Sequence, residues 1–249
     1  MVVTEGTLLG GRVRYAQPAS GFRSGLEPVL LAACIPARPG ERVLEAGTGA
    51  GAAALCLSAR VDGVQVTAVE IDPDMATLAS ANAVANGFHG IEVLCGPIQT
   101  VPLPGGFDHA LANPPYHAPD GSKSPVAARE MAKRGSDSAT SEWIGRLSEA
   151  LRYRGTLSLV VPAAMIPACL AEMSAARCPC SVVFPLWPKV GRAAKLVLLR
   201  GIKDSRAPLR LMAGLVLHTQ DGSFTEPAQA ILQSPTALNL DGHISSAFG

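Results

Sequence analysis

The distribution of apolar residues along the chain predicts strands that alternate with helices. Five short apolar runs have the length and composition of buried strands. They are RVLEA (42–46), VQVTAVE (64–70), IEVLC (91–95), DHALA (108–112) and GTLSLVVP (155–162). The intervening segments 50–60, 73–87, 138–152 and 163–176 have helical patterns. Asp72 is a suitable cap for the helix over 73–87, and Gly87 a suitable stop.

This alternation predicts an α/β fold built on a mostly parallel sheet with helices on both faces. Two more strands, CSVVFPL (180–186) and AKLVLLR (194–200), follow each other without a helix between them. One of the two should therefore run antiparallel at the edge of a seven-stranded sheet. The segment TLLGGRVRYAQ (7–17) predicts a hairpin around two glycines, and GLEPVLLAACI (25–35) predicts a helix.

The composition indicates a globular chain. Hydrophobic residues make up 48% and charged residues 16%, which is typical of a compact protein rather than a disordered one. No apolar run reaches the roughly 18 residues needed to span a membrane, and the first residues lack the pattern of a secretory signal, so we expect a cytoplasmic protein. The six cysteines lack paired metal-ligand spacing. We therefore expect reduced thiols and no metal.

The domain organisation follows from these elements. We expect one domain over residues 1–233, in which residues 1–24 form the hairpin and a cap, and residues 117–140 form a loop over the site. The segment 234–249 has little to bury and is expected to be a mobile tail.

The net charge of +1 conceals two basic clusters. The first contains Lys123, Arg129, Lys133 and Arg134, with Glu130 as the acid among them. The second extends from Lys189 to Arg210, with Asp204 as its acid. Composition alone leaves two alternatives open, a phosphate-binding face and a solvated surface.

Two strand ends carry candidate ligand-binding residues. In an open α/β sheet, ligands bind at the carboxyl ends of the strands. Glu45 ends the first of these strands and leads into a loop that contains Gly47 and Gly49. Glu70 ends the next strand, where a carboxylate can accept both hydroxyls of a ribose; a solvated strand-end acid is the alternative. The glycine loop alone is weak evidence, because it also fits the loose dinucleotide-binding pattern.

A third strand end carries the tetrapeptide Asn113-Pro114-Pro115-Tyr116. With the glycine loop and the strand-end acid, it resembles the class I S-adenosylmethionine-dependent methyltransferases. The tetrapeptide matches the motif of their amino-group-methylating branch. The resemblance implies a Rossmann-like fold, S-adenosylmethionine as cofactor, and a grip on the target amine by the Asn113 side-chain oxygen and the Pro114 carbonyl. Tyr116 would stack on a planar substrate beside Pro115.

The chain up to about residue 233 resembles one family, the bacterial methyltransferases that modify N6 of the adenine just 3′ of the anticodon in a valine tRNA. The similar segments include GFRSGLEPVLLA, PLWPKVGRAAKLVLLR and APLRLMAGLVLH. The resemblance implies cofactor contacts from Arg23, Ser24, Gly25, Glu27, Glu45, Gly47, Gly49, Glu70, Ile71, Ile98 and Asn113. It implies tRNA contacts from Lys123, Arg129, Lys133, Arg134, Lys189 and Arg192, with the segment from Lys189 to Arg210 contributing to the rim of the site.

Two departures from the family pattern keep alternatives open. Glu45 stands where Asp is more usual, which retains a carboxylate for the methionyl amine. Pro97 stands where the family often has the Asp that binds the adenine amine, so that contact would either come from the main chain, for instance at Ile98, or be lost. The chain could instead methylate another amine (a protein glutamine, an rRNA base or a small molecule) or bind the cofactor without activity. We expect His117 to be a loop histidine and Trp143 and Trp187 to be packing residues; the sequence leaves the oligomeric state open.

Overall fold

The computed structural model describes residues 1–20, 24–114 and 136–240, with side chains from residue 140 onward in the last range. Its strands are β1 Val3–Leu8, β2 Val13–Pro18, β3 Arg42–Ala46, β4 Gln65–Glu70, β5 Ile91–Cys95, β6 Phe107–Ala112, β7 Leu151–Pro162, β8 Cys180–Trp187, β9 Leu196–Ile202, β10 Arg210–Leu211 and β11 Leu215–Val216. Its α-helices are α1 Glu27–Cys34, α2 Ala52–Arg60, α3 Pro73–Ala85, α4 Ser136–Ala150, α5 Ile166–Ala175 and α6 Glu226–Gln233. None of these described helices combines the length and apolar character that a membrane crossing requires.

The seven strands expected from the sequence form one sheet in the order β8-β9-β7-β6-β3-β4-β5. The two-residue strands β10 and β11 both pair with β8 and bring the sheet to nine strands. Strand β9 is antiparallel to both of its neighbours, β7 and β8, so among the seven longer strands the antiparallel one lies next to the edge strand β8. Strands β3 to β8 therefore all end at the same side of the sheet, which we call the carboxyl edge.

Apolar side chains cover both faces of this sheet. One core cluster joins α1 and α2 to the sheet, and includes Leu30, Leu55 and Val66. The other joins α4 and α5 to the opposite face, and includes Ile144 and Cys169. Because both faces are buried, the strands of the centre have apolar residues in succession instead of alternating ones.

The N-terminal hairpin of β1 and β2 is fastened to helix α3 by two asparagines. The Asn82 carboxamide accepts a hydrogen bond from the Ala16 amide at 2.9 Å and donates to the Ala16 carbonyl at 2.8 Å. Asn86 makes the same pair of bonds with Arg14, at 2.8 and 2.7 Å. Four residues along a helix and two along a strand both advance by about 6 to 7 Å, so the spacing of the two asparagines matches that of Ala16 and Arg14. Their side chains make the hydrogen bonds to β2 that a neighbouring strand would otherwise make.

Two residues of the second basic cluster donate hydrogen bonds to carbonyls at the C-terminal ends of helices. The buried Arg200 donates to the carbonyl of Cys34, the last residue of α1. Lys203 donates through Nζ to the carbonyls of Ser148 and Glu149 at 2.6 and 3.2 Å, in the last turn of α4. These carbonyls have no partner within their own helices, and a cation is the favoured partner at a helix C-terminus.

The expectation that the chain buries little after Ser234 is wrong for residues 234–240. Leu240 is fully buried, and the Leu238 amide donates to the Ala33 carbonyl at 2.8 Å, so this segment packs against the end of α1. The sequence did not indicate helix α6, which precedes the segment and contributes Ala228 and Ile231 to the core. Residues 241–249 lie outside the described residues.

Candidate active site

A cleft of about 520 Å³, open to solvent, lies at the carboxyl edge where β3 and β6 end below the N-terminal hairpin. The residues that line it are Tyr15, Gln17, Pro18, Ser24, Pro28, Leu31, Glu45, Gly47, Thr48, Gly49, Ala50, Ala53, Met75 and Asn113. The structure thus brings together five of the residues predicted for the site: Ser24, Glu45, Gly47, Gly49 and Asn113.

The glycine loop between β3 and α2 needs its glycines for conformation. Gly47 and Gly49 have φ values of 67° and 58°, in the left-handed region that side chains disfavour. A Cβ on Gly47 would lie 2.6 Å from the ring of Trp143. Trp143 is therefore a packing residue that closes over the loop, as the sequence indicated.

Glu45 is a buried carboxyl at the start of this loop, with 5% of its surface exposed. Its Oε2 atom has no hydrogen-bond partner among the described residues. Burial, with the negative charge of Glu70 as a smaller contribution, raises the pKa of Glu45 from 4.5 to about 7. A buried oxygen without a partner is costly, and a ligand ammonium in the cleft would offset that cost.

Glu70 is held at the end of β4 by two main-chain amides. Its Oε2 accepts from Gly49 at 2.8 Å and its Oε1 from Asp72 at 3.0 Å. A carboxylate has about four acceptor sites, so each oxygen retains one for a ligand. With 8% of its surface exposed, Glu70 is a buried anchor of the glycine loop and not a solvated surface acid.

The two residues expected near an adenine differ in exposure. Ile71, directly after Glu70, is 52% exposed and presents an apolar side chain at the carboxyl edge. Ile98 is buried, and its carbonyl accepts from Arg146 Nε at 3.3 Å. The Ile98 amide has no hydrogen-bond partner among the described residues, so a main-chain donor is available where Pro97 supplies no carboxylate.

The hairpin contributes cleft residues that the sequence reasoning missed. The Tyr15 hydroxyl and Ser24 Oγ are 2.6 Å apart, and the Ser24 amide donates to the Gln17 side chain at 3.3 Å. Tyr15 is buried, and burial raises the pKa of its hydroxyl. The side chains of Val13, Tyr15 and Gln17 alternate along β2, which was the available indication that they share one face. Gly25 has no side chain, and Glu27 folds back across it.

Asn113 lies at the end of β6 and is half-buried on the wall of the same cleft as Glu45. Its carboxamide has no hydrogen-bond partner among the described residues, and Pro114 after it is buried. The roles predicted for seven further residues stay predictions, because these residues lie outside the described ranges: Arg23, Pro115, Tyr116, Lys123, Arg129, Lys133 and Arg134.

The second basic cluster divides between the two edges of the sheet. Lys189 and Arg192 follow β8 and lie at the carboxyl edge, like Asn113. Arg206 follows the antiparallel β9, and its neighbour Ser205 accepts from Arg154 at the start of β7, which places it at the opposite edge. The expectation that the whole segment from Lys189 to Arg210 contributes to the rim is therefore wrong for the residues after β9.

Comparison with known proteins agrees with this geometry. Residues 28–165 match the family model described as "Methyltransferase small domain". A protein of Actinobacillus succinogenes is 32% identical over 191 residues, which cover 74% of this chain and 78% of the relative. A protein of Aeromonas hydrophila is 30% identical over 214 residues, covering 82% and 86%. Both relatives are named tRNA1(Val) (adenine(37)-N6)-methyltransferase.

Solved structures confirm the fold. A predicted O-methyltransferase from Agrobacterium tumefaciens superimposes with a TM-score of 0.71 at 23% identity, covering 86% of this chain and 99% of that one. The expected class I methyltransferase fold is therefore confirmed. Because the family model covers more than half of the chain and the relatives align over most of their length, the chain belongs to the methyltransferase small domain family, in the branch of the tRNA1(Val) (adenine(37)-N6)-methyltransferases.

Proposed function

We propose that this protein transfers a methyl group from S-adenosylmethionine to N6 of an adenine in tRNA. The observation that carries the proposal is one cleft that holds two polar groups without a hydrogen-bond partner among the described residues, the Glu45 Oε2 oxygen and the Asn113 carboxamide. The names of the relatives support tRNA as the substrate. A tRNA substrate implies action in the cytoplasm.

The residues present fit the cofactor. S-adenosylmethionine carries an ammonium, which would donate a hydrogen bond to Glu45 Oε2. It also carries a ribose diol, whose hydroxyls would donate to the remaining acceptor sites of Glu70. The exposed Ile71 side chain offers an apolar contact to adenine, and the Ile98 amide a donor. When bound, the cofactor supplies an electrophilic methyl group, so the protein has only to position and desolvate the reactants.

The target amine would be held by the residues at the end of β6. An exocyclic amine on a purine is a poor nucleophile, because its lone pair is delocalised into the ring. The Asn113 side-chain oxygen and the Pro114 carbonyl would each accept one of its N–H groups, which draws the nitrogen towards a tetrahedral shape and directs the lone pair at the methyl. Proline has no N–H, so its carbonyl is presented without a competing donor.

No general base is required for this reaction. The new nitrogen–carbon bond forms before the proton leaves, and the nitrogen is then acidic enough for water to take the proton. Because the cleft is open to solvent, water can reach the nitrogen and take that proton.

Methyl transfer to defined tRNA transcripts tests the proposal. The purified protein would be supplied with labelled S-adenosylmethionine and either a valine tRNA with adenine at position 37, the position in the relatives' names, or the same tRNA with guanine there. We expect N6-methyladenosine by nucleoside mass spectrometry from the first tRNA alone. In a parallel reaction with cell extract, transfer of the labelled methyl group to protein or to small molecules, and not to tRNA, would show that another amine is the substrate. Cofactor binding without any transfer would show a binding protein that has lost the activity.

A further inference from the structure

A surface outside the cleft combines one exposed and one half-buried aromatic ring with cations. It consists of the loop between β8 and β9 and the turn that follows β11, and we call it the flanking surface. Its members are Lys189, Arg192, Lys195, His218 and Phe224.

The aromatic pair of this surface does not belong to the core. Phe224 is 37% exposed, and its ring stacks on His218 with the ring centroids 4.7 Å apart and an angle of 26° between the planes. Neither residue is a member of the two core clusters. Burial of apolar area in the core therefore does not account for the pair.

The turn that carries the two rings is fixed to the end of β8. The amides of Leu217 and His218 donate to the carbonyls of Trp187 and Pro188 at 2.8 and 3.1 Å. Lys189 Nζ donates to the Gln220 carbonyl at 3.0 Å. The rings and the loop are thus held in one arrangement before any partner binds, which lowers the entropy cost of binding.

The cations of the flanking surface are not neutralised by the described carboxylates. None of Lys189, Arg192 and Lys195 forms an ion pair with a described acid. The acid of the turn, Asp221, accepts hydrogen bonds from the Thr219 hydroxyl and, at 3.1 Å, from the Ser223 amide. The excess of positive charge favours a polyanion as the partner.

The position of the flanking surface relates it to the cleft. Strand β8 ends at the same edge as β6 and is three strands away from it. Three strand spacings amount to about 14 Å, a distance that a short stretch of RNA spans.

We propose that the flanking surface binds the RNA next to the target adenine, with the Phe224–His218 pair stacking on an unpaired base and the three cations contacting phosphates. Aromatic rings interleaved with cations are how proteins bind single-stranded RNA without reading its sequence. The inference rests on the proposed function, since it takes the RNA in the cleft and the RNA on the flanking surface to be one molecule.

Equilibrium binding of tRNA, with S-adenosylhomocysteine present and no transfer occurring, tests this inference. Arg192→Gln should flatten the plot of log binding constant against log salt concentration by about 0.7 to 0.9, the value for one lost phosphate contact. Arg206→Gln is the matched control, because Arg206 is also exposed but lies at the opposite edge, and its slope should equal that of the wild type. Phe224→Ala should weaken binding by about 5- to 100-fold, whereas Phe224→Tyr should retain it.

The outcomes separate this inference from the proposed function. Wild-type methylation of tRNA combined with Arg192→Gln and Phe224→Ala binding like the Arg206→Gln control would overturn the inference and leave the function intact. Binding that depends on Phe224 without methyl transfer to tRNA would support the surface and contradict the function. Equal dependence on Phe224 for poly-L-glutamate would indicate an acidic polypeptide as the partner and overturn the inference. Unchanged melting temperatures would show that the variants are folded.

Discussion

Replacing Glu45 by glutamine should make the ligand-free protein more stable and at the same time weaken its binding of the cofactor. Glutamine has the shape of the glutamate side chain but carries no charge. The wild-type carboxyl is buried with an unpartnered oxygen, and burial raises its pKa from 4.5 to about 7. The folded protein therefore disfavours the ionised carboxylate that the unfolded chain readily forms.

The size and sign of the effect follow from these two pKa values. Between pH 4.5 and about 7 the unfolded chain has released the Glu45 proton while the folded protein still holds it, so wild-type stability falls as the pH rises through this window. At about 1.4 kcal/mol for each pH unit, the interval corresponds to about 3 kcal/mol of unfolding free energy. The Glu45→Gln variant has no carboxyl at this position and loses none of this stability. Its unfolding free energy should therefore exceed that of the wild type by an amount that grows by about 3 kcal/mol as the pH rises to about 7 and is constant above that pH.

Chemical denaturation at a series of pH values measures this difference. Glu92→Gln, on the exposed side of β5, removes the same charge from the surface and serves as the control. Calorimetry should show the opposite order for S-adenosylhomocysteine: the wild type binds more tightly as the pH rises towards about 7, and Glu45→Gln binds weakly at every pH. A stability difference that does not change between about pH 4 and 8 would contradict the buried, unpaired carboxyl.

Three further variants test the supports of the cleft. Glu70→Ala should weaken S-adenosylhomocysteine binding by about 1.5 to 3 kcal/mol in calorimetry, the range for hydrogen bonds to a charged group; an unchanged dissociation constant in a folded variant would leave Glu70 only its loop-anchoring role. Gly47→Ala should cost about 1 to 3 kcal/mol of stability in denaturation, because its Cβ meets the Trp143 ring, and Trp143→Leu should recover part of that loss; additive losses would exclude the clash. Asn82→Ala should cost about 2 to 3 kcal/mol, since it leaves the main-chain groups of β2 unpaired, and a loss below about 0.5 kcal/mol would show that the hairpin is held otherwise.

The central strands were predictable because their signals are local. Strands β3 and β5 have the bounds that the sequence indicated, since each is a short apolar run between glycines, prolines or polar residues. Strand β7 begins at Leu151 and not at residue 155 as the sequence indicated. The pattern of residues showed no sign of the earlier start, because residues 152–154 are exposed and Arg154 has a φ of 62°, which is unusual in a strand. A pattern of apolar residues cannot detect a strand segment that faces solvent.

The part of the site that lies at the ends of strands was predictable from the sequence. The part that depends on how distant segments pack against each other was not. Glu45 and Asn113 end parallel neighbours, so their proximity follows from the order of strands alone. Tyr15 enters the cleft because Asn82 and Asn86 fix β2 on α3, across more than sixty residues of chain. Such a contact has no local signal, and neither has the burial of Leu240 against α1.

The central claim is that one cleft binds the cofactor through Glu45 and the glycine loop and grips the amine through Asn113. Asn113→Ala, assayed side by side for S-adenosylhomocysteine affinity and for the rate of methyl transfer to tRNA, tests it most directly. Because the carboxamide would contact the target amine and chiefly stabilise the transition state, we expect affinity within a few-fold of the wild type and a rate lowered at least about 100-fold. Equal losses of affinity and rate would show that Asn113 merely supports the end of β6, and an unchanged rate would contradict the amine grip altogether.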